Sequence, residues 1–213
     1  SAIDYGRDVR RTAEVARRSG VRVVVTSGYN KAAYFTADIN EADEEELERR
    51  IWQEVTEGID STEYRPGQLK FGSSYYHMTP AEERAARAVC RVQKRSGLPL
   101  FTHTEAGTYA LEQIALLKEE GVDLTRVCIG HLDRNPDLWY IKQVLRQGVF
   151  IGIDQISKIK YFTDQVRIEL IIALIRAGYQ KRILLSGDLA RRSYLRAYGG
   201  GPGFRYIAEK FVP

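Results

Sequence analysis

The sequence predicts an α/β fold, a parallel (β/α)8 TIM barrel of which these residues cover about strands three to eight. Two observations carry that prediction. Short apolar, β-branched runs alternate with helical patterns six times along the chain, and such alternation makes a parallel sheet with helices outside. Four of the runs also end in a residue able to bind a metal or move a proton: Lys70, His103, His131 and Asp188. In a parallel barrel the C-terminal strand ends meet on one face, where catalytic groups sit. A doubly wound open sheet also accommodates six strands, but it gathers its ligands at one switch-point crevice. Candidates on four strands suit the barrel mouth better. A closed barrel needs eight strands and roughly 250 residues. Residues 1–213 are therefore expected to form a single barrel domain lacking two N-terminal strands.

The elements follow in order. Residues 8–19 read as a helix with the apolar stripe Val9, Thr12, Ala13 and Ala16, stopped by Gly20. Residues 21–26 form a β-branched run of the kind buried in parallel sheets, followed by the loop Ser27-Gly28-Tyr29-Asn30. An acidic helix is expected over about 41–57, after which 60–67 turn into the strand carrying Lys70. Thr79, Pro80 and Glu82 open a helix as N-cap, first and third residues, and Gly97 ends it. The His103 strand leads to a helix over 109–120 closed by Gly121, and the His131 strand to a helix over 137–147 closed by Gly148. A strand over 149–154 leads to a helix over 164–177 closed by Gly178. The last strand carries Asp188 and runs into Tyr194 and Gly199-Gly200-Gly201-Pro202-Gly203. That cluster lacks the Gly-Lys-Ser/Thr of a P-loop and reads as a flexible active-site loop anchored by Phe204 and Tyr206.

Composition narrows the function. A net charge of +4, from 32 basic and 28 acidic residues, is a mild excess. The basic residues are scattered over helices, which argues against a nucleic-acid surface and leaves room for an anionic small molecule. No run of about 18 apolar residues occurs, so no membrane span is expected. Cys90 and Cys128 are the only cysteines. They fall in a helix pattern and a strand pattern, and read as buried free thiols in a reducing, cytoplasmic setting.

Two imidazoles and a carboxylate suit zinc, with manganese or cobalt as alternatives. A hydrolytic metal lowers the pKa of its bound water to about 7. Lys70 is the unusual candidate, because an ammonium repels a metal. Burial lowers a lysine pKa, and a neutral amine reacts with carbon dioxide to give a carbamate, an anionic oxygen ligand able to bridge two metals. Each position alone has a plainer account: hydrogen-bonded structural histidines, an ordinary strand-end lysine, a carboxylate capping the next helix. Their shared place in the repeat favours the metal site. His77, in Tyr75-Tyr76-His77-Met78-Thr79, reads as a rim residue.

A second cluster follows the last two strands. Arg191, Arg192, Ser193 and Tyr194 come directly after Asp188, and Lys158 and Lys160 come after Asp154. Guanidinium, ammonium and phenol donors at one mouth make an anion clamp, and barrels commonly hold phosphate in the loops after strands seven and eight. Lys160, Arg191 and Tyr194 are the expected clamp. Lys158 and Arg192 read equally well as solvated loop charges.

The motifs Gly67-Gln68-Leu69-Lys70-Phe71-Gly72-Ser73-Ser74, Thr102-His103-Thr104-Glu105-Ala106-Gly107, Ile129-Gly130-His131-Leu132-Asp133 and Leu185-Ser186-Gly187-Asp188 resemble the phosphotriesterase-like branch of the amidohydrolase superfamily. Gly58-Ile59-Asp60 and Tyr198-Gly199-Gly200 fit it too. The resemblance runs over essentially the whole chain. It implies a binuclear metal centre in which carboxylated Lys70 bridges, His103 and His131 bind one metal, and Asp188 binds the other and shuttles the proton. The clamp resembles that of the subgroup that hydrolyses phosphorylated sugar lactones. The implied reaction is opening of such a lactone by attack of a metal-bridging hydroxide on its carbonyl, with Asp188 as the catalytic proton carrier and a small molecule as the partner. A homodimer is compatible with the family. Alternatives are a phosphotriesterase, a non-catalytic degenerate barrel, or an open-sheet fragment without a site. Three departures stand out, one being that the family's C-terminal helix after Phe211-Val212-Pro213 is absent. The family's first-strand His-x-His pair is absent, since the only histidines are His77, His103 and His131. Asn30 also stands where many members carry an aromatic residue.

Overall fold

The computed structural model describes residues 2–212. Six parallel strands pair strictly in chain order: β1 (Thr26–Gly28), β2 (Gln68–Ser73), β3 (Leu100–Thr104), β4 (Val127–Ile129), β5 (Phe150–Ile153) and β6 (Ile183–Leu185). Sequential order is that of a barrel wall. A doubly wound sheet would reverse its order at a switch point, and no reversal occurs among these strands. The helices are α1 (Val9–Ser19), α2 (Ala37–Glu41), α3 (Glu44–Glu57), α4 (Pro80–Ser96), α5 (Ala110–Glu119), α6 (Leu138–Leu145) and α7 (Asp164–Arg176).

The period of two along a strand sorts core from site. In β2, Leu69 and Phe71 are fully buried in the same apolar core as Leu47, Ile51 and Val89 of α3 and α4, while Lys70 between them is only half-buried. In β3, Leu100, Thr102 and Thr104 are buried, while Phe101 and His103 are half-buried on the other face. The same alternation that fills the core therefore directs Lys70 and His103 away from it. Register reinforces this, with Lys70 opposite Phe101 and Gly72 opposite His103. The helix signals act as their chemistry requires. Thr79 and Glu82 form a reciprocal capping box at the start of α4, and Gly97 closes that helix in the left-handed conformation.

Several expectations change. The strand expected over 21–26 begins only at Thr26, and Val21, Val23 and Val24 are exposed. Among the described residues β1 pairs only with β2, so this run borders the sheet's edge, where nothing buries it. The acidic helix expected over 41–57 is broken, because Asp43 takes extended backbone and its carboxylate accepts the Glu46 N–H at 2.9 Å, starting α3 afresh. Phe204 anchors nothing, being 78% exposed, whereas the Tyr206 hydroxyl donates to Asp164 at 2.9 Å. Cys90 and Cys128 are buried free thiols. No helix among the described residues is long and apolar enough to cross a membrane.

Candidate active site

β4 stops at Ile129 and β6 at Leu185, short of the residues expected at their ends. His131 and Asp188 lie just beyond, with φ of 62° and 43°. Non-glycine residues held in that left-handed region cost about 1–3 kcal/mol and cluster at functional sites. One pocket at the C-terminal strand ends is lined by Lys70, His103, His131, Asp188, Lys160, Arg191 and Tyr194, so the structure brings all seven singled-out residues together. His77 lies on the exposed loop after β2 and does not line it. Two motif glycines make the approach possible. A Cβ on Gly72 would lie 2.2 Å from the Asn30 carbonyl oxygen and 2.9 Å from His103 Cβ, and one on Gly130 would meet the Phe101 ring at 2.5 Å.

The two histidine rings stand edge to face, with centroids 4.7 Å apart. His131 is the more firmly held. Its Nδ1 is 2.6 Å from Asp154 Oδ1, and its backbone N–H donates to Asp154 Oδ2 at 2.8 Å. With Nδ1–H given to a carboxylate, Nε2 keeps its lone pair for a ligand. Burial pushes the Asp154 carboxyl up, but the His131 ring and N–H outweigh it and hold the group ionised. Sequence reasoning gave Asp154 no role. The available signal was its place at the end of a strand, the same place as the other candidates.

Burial lowers the His103 pKa to about 4, with the His131 ring and Lys70 adding to the shift and the bond to Glu105 opposing it. Its Nε2 lies 3.2 Å from Glu105 Oε2. That carboxylate also accepts from Lys31 and, at 3.0 Å, from Arg134. The bond from His103, and then those from Lys31 and Arg134, hold Glu105 far below the usual carboxylate range. Lys70 is lowered by burial as well, with only distant help for its charge from Asp188, Asp154 and Asp4.

The rim after β5 and β6 is arranged differently. Lys158 is buried, and its ammonium donates to the Asp188 carbonyl at 2.6 Å and to the Asp188 carboxylate, 5.0 Å from the centre of the Tyr194 ring. Gln155 Nε2 donates to the same carboxylate at 3.2 Å. Lys160 is exposed and lies 4.6 Å from the Tyr161 ring centroid, and Arg191 is exposed at the pocket edge. Arg192 lies over Tyr198 instead. Lys158 is thus the inner cation of the group, and its burial against Asp188 is not that of a solvated loop charge.

The donor chemistry fits a divalent metal. Among the described residues no three His, Cys, Asp or Glu side chains are grouped to hold one, so a site here depends on the lysine. The His103 imidazole, whose charge burial disfavours, faces the same pocket as His131 and as an amine whose charge burial also disfavours, and an uncharged amine is the form that takes up carbon dioxide.

This chain is similar to known proteins over its whole length. The model of the phosphotriesterase family matches residues 1–213. The phosphotriesterase homology protein of Escherichia coli (strain K12) is 36% identical over 209 residues, covering 98% of this chain and 71% of that protein. Its crystal structure, with phosphate in the active site, superposes with a TM-score of 0.97 over 100% of this chain and 73% of its own. A lactonase from Listeria monocytogenes has a TM-score of 0.96 at 40% identity, covering 100% and 70%. The phospho-furanose lactonase of Mycoplasmopsis synoviae (strain 53) is 30% identical over 232 residues, 99% of this chain and 66% of that protein.

Proposed function

The chain belongs to the phosphotriesterase family, and from that premise we propose that it supplies strands three to eight of a single metal-dependent hydrolase barrel that opens a phosphorylated sugar lactone, an aldonolactone. The observation that carries this reading is the sharing of one pocket by two kinds of group. Lys70, His103, His131 and Asp188 lie with the cations Lys158, Lys160 and Arg191 and the phenol of Tyr194. His103, His131, Asp188 and carboxylated Lys70 would hold two divalent ions, zinc or else manganese or cobalt, which when bound supply Lewis acidity and a water of lowered pKa.

The protein's own groups divide the remaining work. Asp188 accepts a proton from the attacking water and returns it to the ring oxygen as the C–O bond breaks. Lys158 and Gln155 orient that carboxylate. Asp154 fixes the His131 ring and its tautomer. Arg191, Lys160 and Tyr194, with Lys158 beneath them, bind the phosphate and supply binding energy remote from the bond that breaks. The lactonase and phospho-furanose lactonase relatives support the lactone. A neutral phosphotriester leaves this cationic rim without a partner and is the weaker reading. The buried free thiols suit a cytoplasmic enzyme.

The test is kcat/KM of the full-length, zinc-loaded protein on a furanolactone phosphate, its unphosphorylated analogue and an aryl dialkyl phosphotriester. The phosphorylated lactone should lead by about a hundredfold, the worth of two charge-assisted contacts. A triester turned over faster than either lactone would overturn the proposal.

A further inference from the structure

Arg167 is the largest fully buried side chain among the described residues, and nothing in the chemistry above uses it. It rises from the first turn of α7 beneath the loop that carries Lys158 and Lys160. Its Nε donates to Asp133 at 2.8 Å. Nη1 donates to the Phe162 carbonyl at 2.8 Å and to Asp164 at 3.0 Å. Nη2 reaches the carbonyl of Lys158 itself at 3.4 Å. Asp133 in turn accepts the backbone N–H groups of Asp154 at 3.2 Å and Gln155 at 3.0 Å. At the far end Asp164 accepts the Ser157 N–H at 2.8 Å and the Tyr206 hydroxyl at 2.9 Å. One guanidinium therefore pins the loop over 154–164 at its start, middle and end, and joins it to the loop after β4 and to the segment after β6.

A buried ion pair is a weak source of stability, because desolvation offsets most of the attraction and an apolar pair of the same shape often does as well. What an apolar pair cannot do is present five donors in a fixed fork. We infer that Arg167 is a positioning residue for the anion clamp, holding Lys158, and Lys160 two residues on, in the place where a substrate phosphate is bound. The inference rests on the lactone phosphate reading above. It adds a residue that touches no substrate and yet sets selectivity for the phosphate.

The full-length enzyme tests it through a ratio. Arg167→Lys keeps the charge and removes the fork. The preference in kcat/KM for phosphorylated over unphosphorylated lactone should fall by about tenfold, carried by KM, and the inhibition constant of inorganic phosphate should rise by a similar factor, as expected when a binding group is misplaced by a fraction of an ångström to an ångström. Partial unfolding lowers activity on both substrates alike, so an unchanged ratio with unchanged phosphate inhibition overturns the inference even if stability drops. Should Arg167→Lys yield no folded protein, Asp164→Asn at the partly exposed end of the network carries the test, with a fall of about threefold expected and an unchanged ratio again decisive. A wild-type enzyme without preference for the phosphorylated lactone overturns the clamp and this inference together. A preference that survives both substitutions overturns only the role of Arg167.

Discussion

The two sides of the pocket are built to different standards. On the side of β4 and β5, His131, Asp133, Asp154 and Arg167 are all buried and form a chain of hydrogen bonds, His131 to Asp154, the Asp154 N–H to Asp133, and Arg167 to Asp133. On the side of β6, Asp188 and Arg191 are exposed, and Tyr194 is half-buried. Leaving a buried polar group unpaired costs about 1–3 kcal/mol, so the first side has to be fully paired or not polar at all. Groups that meet a substrate must stay accessible and rely on charge instead. The contrast separates what orients the chemistry from what receives the ligand, and substitutions on the two sides should fail in different ways.

The largest effect belongs to the exposed side. Asp188→Asn should lower kcat by about 10²–10⁴, the usual worth of a positioned proton carrier. Stability should fall by about 1–3 kcal/mol, because the Asp188 side chain, although 41% exposed, is the carboxylate partner of the buried Lys158 ammonium. Steady-state kinetics beside a urea melt checks both halves. An intact kcat would remove Asp188 from the proton transfer and break the contrast at its sharpest point.

Asp154→Asn should fail through metal binding instead. The His131 ring loses the carboxylate that sets its tautomer, so zinc affinity should drop by about 10–100-fold. The folded state should lose about 1–3 kcal/mol with it. Competition with a chelator measures the first and denaturant unfolding the second. A variant that binds zinc normally would show that Asp154 is structural alone.

How much of this was legible in the sequence differs between the same two sides. Lys70, His103, His131 and Asp188 stand in one position of a repeat, and the repeat points to a common pocket, so the sequence contains the gathering. Lys158 and Arg167 carry no such mark. A lysine two residues before another lysine, and an arginine in a helix, look solvated until the chain folds over them. Their roles depend on which carbonyls and carboxylates lie within about 3 Å, a fact of loop conformation that periodicity does not encode. The 21–26 run misled for a related reason. Its β-branched residues carry strand propensity, yet propensity becomes structure only with a neighbour to pair, and among the described residues β1 pairs on one side alone.

Arg191→Ala should raise KM for a phosphorylated lactone by about tenfold, the range of one hydrogen bond to a charged group, and leave the unphosphorylated analogue nearly unchanged. Comparing the two KM values checks it. Equal effects would place Arg191 outside the clamp and assign selectivity to buried Lys158.

The smallest effect is a pH dependence that belongs to His103. His103 titrates near 6.5 when unfolded and near 4 when folded. Between those values the unfolded chain binds the extra proton and the folded one does not, so stability is full above about pH 6.5 and falls as the pH drops toward 4. The shift corresponds to at most about 3 kcal/mol, less what solvent at the pocket screens. Glu105 and Asp154, held ionised, contribute in the same direction below the ordinary carboxylate range, whereas Asp4 and Asp133, raised by burial, contribute in the opposite direction above it. Unfolding free energies of metal-free protein at pH 7 and 4.5 should therefore differ more in the wild type than in His103→Gln, and equal losses in the two proteins would assign the acid sensitivity to other groups.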